Sequence, residues 1–354
     1  MRKIKQTFTF VLMTILFFMM LYHPESAKAD SFGSFSVKAI IPENQINKNL
    51  SYFDLRLSPL ETQTIQILVT NSSKEPIVAH LALNAAATGS NGVIIYSRSD
   101  IRDESLITSI DDVAKLETPE VEVAAESSVY VNIDIQMPED SFDGVILGGI
   151  VVTANPEKKE TATDESTQSV QIVNEYAYTI GLKISENDNY VKPNLNLTSI
   201  QPELVNYHTS IIAGIQNDQP IIMSQMSISG EIYTQNASEL LYEAALNPAS
   251  MAPNSTLGFV IDCGNQTLEP GIYRLKLKAL WENDEWEWDQ EFKITATEAS
   301  LINEEAVGQV SNTNHSYWLI VLLIIFLIAA IAIIAYLIGR KRRQKKDSRS
   351  NDRR

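Results

Sequence analysis

Three of the four tryptophans of this 354-residue chain fall in one octapeptide, "WENDEWEW" (residues 281–288), among four acidic residues. Indole rings set side by side offer flat apolar faces with an N–H at the edge, a combination suited to gripping sugars. The same stretch also fits the turn and flanks of a β-hairpin. A loop centred on Asn283-Asp284 pairs Trp281 with Trp286, Ala279 with Trp288, Leu277 with Gln290, Leu275 with Phe292 and Tyr273 with Ile294. The opposite face then pairs Lys278 with Asp289 and Lys276 with Glu291. In this register all three indoles point coreward. Trp288 fills space opposite small Ala279, while Trp281 and Trp286, beside the loop, form a candidate binding patch.

Upstream, "LEPGIY" places Leu268, Pro270, Gly271 and Tyr273 as in the tyrosine corner of immunoglobulin-like sandwiches, where the phenol ties back to upstream backbone. Other reactive groups are sparse. His80, His208 and His315 are widely spaced, and neither an HExxH string nor paired cysteines occur. Cys263 is the sole cysteine, which excludes an internal disulfide and reads as a small core residue. "PEDSFDG" and "SENDNY" are acidic but lack EF-hand spacing. The N-x-S/T strings, such as those at Asn71 and Asn254, read as turn chemistry. We therefore expect no catalytic set, no cofactor and no metal, and a protein that is not an enzyme.

The elements that position these residues are strands. "SVYVNIDIQM" sets Val129, Val131, Ile133, Ile135 and Met137 on one face and Tyr130, Asn132, Asp134 and Gln136 on the other, the period of a half-buried strand. Similar runs follow one another from residue 35 to 153. One stretch, "SDIRDESLITSIDDVAKLE", reads as a side helix. Residues 155–169 are polar and read as a linker, and the strand pattern resumes from Val170. The expectation is an all-β chain with two tandem immunoglobulin-like β-sandwich domains, 30–154 and 170–297, followed by a stalk at 298–317.

Both ends are apolar. A basic start, the run "FTFVLMTILFFMMLY" and the small-x-small string at Ala27–Ala29 predict a signal peptide over residues 1–29, cut between Ala29 and Asp30. "WLIVLLIIFLIAAIAIIAYLI" (318–338) is long enough for a transmembrane helix. Residues 339–354 carry nine Lys/Arg against two Asp, which places that tail in the cytoplasm. With the leader's four basic and one acidic residues and this tail set aside, 15 basic and 41 acidic residues remain, a formal charge of −26. Such a charge disfavours nucleic acid as a partner.

"FSVKAIIPENQ" (35–45), "YFDLRLSP" (52–59), "VTNSS" (69–73), "NGVIIYS" (91–97) and "MPEDSFDGVILGGIVVT" (137–153) resemble the first extracellular domain of WxL-interacting proteins of Gram-positive cell surfaces. The order of signal, two β domains, membrane helix and basic tail is similar too. The resemblance implies a peptidoglycan-binding first domain, a host- or partner-binding second domain, both immunoglobulin-like, and association with a WxL-domain surface protein. It also implies a single-pass cell-membrane protein whose domains lie within the wall. An LPxTG string, the signal for covalent attachment to the wall, does not precede the apolar run, so the helix is expected to stay in the membrane. A second reading stays open at this point: a tethered sensory module for a soluble ligand, with the basic tail as its output.

Overall fold

The computed structural model describes residues 35–97, 102–156, 176–236, 239–264, 266–306 and 325–326. The first unit comprises β1 (Phe35–Ile40), β2 (Phe53–Arg56), β3 (Thr62–Asn71), β4 (Ile77–Ala85), a ribbon of β5 (Ala87–Thr88) and β6 (Ile94–Ile95), helix α1 (Ile110–Val113), β7 (Ala114–Leu116), β8 (Glu120–Val123), β9 (Ser127–Gln136), β10 (Ile146–Pro156) and β11 (Ala177–Ser185). One sheet runs β1-β3-β9-β7 and the other β2-β11-β10-β4-β8. The period of two along β3 and β9 turns Ile65, Ile67, Val131 and Ile133 into a core shared with Ile150 and Leu182.

The second unit comprises β12 (Leu195–Val205), β13 (His208–Asn217), β14 (Met223–Thr234), β15 (Leu240–Met251), β16 (Ser255–Asp262), β17 (Gly271–Trp281), β18 (Asp284–Ile294) and helix α2 (Ala296–Glu305). Its sheets run β12-β13-β16 and β15-β14-β17-β18. A separate core gathers Ile211, Ile215, Met226, Phe259, Leu275 and Leu277. The two units share one plan. Strands β1-β3-β9 correspond to β12-β13-β16, and β8-β4-β10-β11 correspond to β15-β14-β17-β18. To that plan the first unit adds β2, β7 and the β5–β6 ribbon.

This plan corrects one sequence expectation. The stretch from Val170 onward was assigned to the second unit, but β11 pairs antiparallel with β10 and parallel with β2 in the first. Ile180, Leu182 and Ile184 are buried there. The physical reason is that without β11 the first core would lose one wall and β10 would become an unpaired edge. The start of the expected linker changes as well, since Asn155 and Pro156 still pair with β4.

Two further expectations give way. Of the side helix, α1 alone is helical, opened by a capping box between Ser109 and Asp112, and Ala114–Leu116 instead pair with β9. The stalk is replaced at its start by α2, whose Ala299 is buried against the second core. The signal peptide with its Ala29–Asp30 site, residues 157–169 of the expected linker, residues 170–175, the basic tail and the apolar run 318–338 lie outside the described residues, Ile325 and Phe326 excepted. Among the described residues, no helix is long and apolar enough to cross a membrane.

The "FDGVILGG" string is explained by packing. A Cβ on Gly148 would lie 2.4 Å from Ile110, and one on Gly149 would lie 2.7 Å from the Tyr96 ring. Gly144, at φ +87°, faces the second unit so closely that a Cβ would lie 2.3 Å from the Pro220 carbonyl oxygen. Next to it, Val145 N–H donates to that same oxygen at 2.8 Å. The junction has more such contacts. Ser250 N–H donates to the Gly92 carbonyl at 2.7 Å, and Ala252 N–H to Thr88 Oγ1 at 2.9 Å. Asp103 accepts from Thr256 Oγ1 at 2.6 Å and from Gln216 Nε2 at 2.7 Å. Backbone and side chain thus both tie the units together.

Candidate functional site

The tryptophan hairpin turns one residue earlier than its sequence suggests. The turn is Glu282-Asn283, with Glu282 in the left-handed region at φ 51°, and Trp281 pairs with Asp284. Trp286 therefore faces Ala279 and Trp288 faces Leu277. Relative to the expected register, the strands have slid by two residues. A slide of two leaves every side chain on its face, so the apolar and charged faces survive while their partners change. The turn stays two residues long, a length that matches the twist of the strands.

Trp281, Trp286 and Trp288 are all half-buried and pack against the second core. Trp281 is further pinned, its Nε1–H donating to the Ser224 carbonyl at 2.9 Å. At the far end, the Tyr273 hydroxyl donates to the Glu269 carbonyl at 2.7 Å, and its ring stacks on Phe292. Cys263 is buried, and burial pushes its thiol pKa up to about 12.

The outer face of this sheet is a lattice of charge. Lys278 bridges Glu285 and Glu287, Arg274 holds Asp289 at 2.5 Å, and Lys276 sits 4.9 Å from the centre of the Tyr233 ring. The hydrogen bond from Lys278 keeps the Glu285 carboxyl below its ordinary range. These are exposed pairs screened by solvent, so they suit recognition better than stability.

The first unit presents two outer faces. On β10 and β11 the opposed glycines Gly149 and Gly181 are roofed by Tyr96 and Tyr52, so the chain covers the centre of that face itself. The outer face of β3 and β9 is laid out differently. Rungs across the two strands pair Thr64 with Asp134, Gln66 with Asn132, Leu68 with Tyr130, and Thr70 with Ser128. The polar rungs are closed by hydrogen bonds: Thr64 Oγ1 to Asp134 at 2.6 Å, Gln66 Nε2 to Asn132 at 2.8 Å, and Thr70 with Ser128 at 2.9 Å. Asn132 in turn donates to Glu117 at 2.7 Å. Tyr130 stands up from this strip with 59% of its surface exposed. A groove of about 580 Å³ opens at one end, bordered by Leu60, Thr62, Lys115, Gln136 and Glu139. Alternation within "SVYVNIDIQM" had already put Tyr130, Asn132 and Asp134 on one face. Their cross-strand partners on β3 depend on register, which a single strand does not reveal.

Among the described residues, no group of three or more His, Cys, Asp or Glu could hold a metal ion. The fold and its two extended outer faces define a binding protein built of paired β-sandwiches. The WxL Interacting Protein peptidoglycan binding domain matches residues 35–154 and the WxL Interacting Protein host binding domain matches 167–304, so the chain belongs to the WxL Interacting Protein family. Both matched units are binding domains, which gives the chain a cell-surface binding role. The second match begins ahead of β11, although that strand is hydrogen-bonded into the first sandwich.

No curated protein sequence matches the chain. Among solved structures, the E. coli chaperone DraB is similar at 10% identity over 74% of this chain and 95% of its own, with a TM-score of 0.29. The Pseudomonas aeruginosa CupB2 chaperone is similar at 13% identity over 65% of this chain and 91% of its own, with a TM-score of 0.26.

Proposed function

We propose that this chain is a non-catalytic adaptor of the cell surface, anchored in the membrane by residues 318–338. Its first sandwich holds peptidoglycan, and its second holds a protein, either a WxL-domain surface protein or a host extracellular protein. The observation that carries this reading is the order of the two matched binding domains along a chain whose sandwiches are tied together at their junction. Two rigidly joined units can hold the wall at one end and a partner at the other.

Both sandwiches are read as immunoglobulin-like. The strand order they share supports this: β12-β13-β16 and β15-β14-β17-β18 make up the whole of the second unit and recur in the first as β1-β3-β9 and β8-β4-β10-β11, there with β7 and β2 added at the edges. The hydrogen bond from Tyr273 to Glu269 at the start of the penultimate strand supports it too. The anchor and its orientation are supported by the uncharged apolar run and the nine Lys/Arg that follow it. Export is supported by the basic, apolar and small-residue succession that ends at Ala29.

The full-length chain in mild detergent should co-sediment with purified peptidoglycan sacculi. Sedimentation no greater than that of an unrelated β-sandwich protein would defeat the wall-binding half of the reading. Affinity capture from intact cells should bring down a WxL-domain protein, and capture that returns none would defeat the partner half.

A further inference from the structure

The outer face of β3 and β9 is uncovered by the described chain, and its surface chemistry is unusual for a protein-binding patch. Protein interfaces are centred on buried apolar and aromatic groups. Here one exposed aromatic ring, Tyr130, lies in a strip of hydroxyl, amide and carboxylate groups. Successive rungs on one face of a sheet are two residues apart, about 7 Å. The four rungs from Thr64–Asp134 to Thr70–Ser128 therefore span roughly 20 Å. The hydrogen bonds that close the polar rungs hold those side chains in place before any ligand arrives, which lowers the ordering cost of binding.

Two lysines flank the strip. Lys38 is exposed beside Leu68, and Lys115 is exposed beside Asp134. They stand on opposite edges of the sheet, on β1 and β7, so each can meet an anionic group on a ligand lying along the central strands.

Resting on the reading of the first unit as the peptidoglycan-binding one, we infer that the glycan strand of peptidoglycan lies lengthwise along β3 and β9. A sugar ring stacks on Tyr130 beside Leu68. The hydroxyl and N-acetyl groups of neighbouring sugars bond to the Gln66–Asn132 and Thr64–Asp134 rungs. The open groove beyond Thr62 and Gln136 receives the next part of the chain. Tyrosine suits this place because its apolar ring face meets the C–H side of a sugar while its hydroxyl stays wet.

The test uses the full-length chain in mild detergent and purified sacculi. Tyr130→Ala, and separately Gln66→Ala with Asn132→Ala, should each weaken co-sedimentation tenfold or more. Because Tyr130 is largely exposed, its variant should keep the wild-type unfolding midpoint. Tyr207→Ala, an equally exposed tyrosine of the second unit, should sediment as the wild type does. Soluble oligomers of N-acetylglucosamine should compete with the sacculi. Wild-type binding that Tyr130→Ala and the double variant leave unchanged would overturn this placement while leaving wall binding intact. Competition by free stem peptides but not by the sugar oligomers would overturn the glycan as the ligand. Failure of the wild type itself to sediment would defeat the underlying reading and this inference with it.

Discussion

Asn71 and Asn217 hold the same place in the two sandwiches. Each ends the second strand of its sheet, β3 in β1-β3-β9-β7 or β13 in β12-β13-β16, and each is buried. The Asn71 amide donates to the carbonyls of Glu75, Val123 and Ala124, and its oxygen accepts from Ser73 N–H. The Asn217 amide donates to the carbonyls of Ile221 and Ala252, and its oxygen accepts from Gln219 N–H. In both cases one side chain satisfies a turn two and four residues on, and the far end of the strand on the opposite sheet's edge. Asn217→Ala would remove a donor from the buried Ala252 carbonyl and the half-buried Ile221 carbonyl and the acceptor of the Gln219 N–H, at a cost of about 1–3 kcal/mol. Urea unfolding measures it, and a loss under 1 kcal/mol would deny the side chain this role.

Asp103 gives the junction a pH dependence. Burial pushes its pKa up, but hydrogen bonds from Thr256, Ser105 and Gln216 outweigh that and hold it below the ordinary value. A depressed folded pKa stabilises the native state above the unfolded pKa of about 3.9, and that contribution is lost as pH falls through the folded value. Asp103→Asn should therefore cost about 1–2 kcal/mol at pH 7. It should also flatten the decline in stability below about pH 4. Thermal melts of both chains from pH 6 to pH 3 measure this; parallel curves would refute it.

Trp286→Ala separates packing from recognition. Because the indole packs on the second core, its loss should cost about 1–3 kcal/mol. Lost partner binding with an unchanged melting temperature would defeat the core role.

Gly148→Ala tests the close approach of α1 to β10. The new methyl would collide with Ile110, and overpacking of this kind costs about 1–3 kcal/mol. Pairing it with Ile110→Ala, which removes the Cγ1 and Cγ2 atoms that crowd the new methyl, should cost less than the sum of the two single changes, as a double-mutant cycle would show.

Cys263 should resist thiol reagents in the native chain at pH 8 and react fully in urea. The thiolate is the reacting form, and burial raises the pKa to about 12. Rapid native labelling would contradict that burial.

Strand periodicity made the core legible wherever apolar residues alternate, as in β9, β13 and β17. It failed where the pattern is ambiguous. Residues 240–251, with "AA" and "NPAS" inside, lack alternation, so β15 was not foreseen. Glu120–Val123 were missed as β8 for the opposite reason, being too short to set a period. The hairpin register escaped because two-residue turns centred one position apart give equally good faces. On the outer face of β3 and β9, Tyr130 and Asn132 were visible as one side of a strand. Gln66 and Thr64 joined them only through pairing across 66 and 70 residues of sequence.

The place of β11 bears on how the chain can be cut and on when its first half can close. A fragment ending at residue 154 lacks Ile180, Leu182 and Ile184 from its core and leaves β10 with a bare edge, so it should expose a sticky sheet to other copies of itself. Extending the fragment through Ser185 restores both. For a chain threaded out amino end first, the first sandwich cannot close until residue 185 has crossed. The first sandwich therefore completes its core only shortly before β12, which begins at Leu195, arrives.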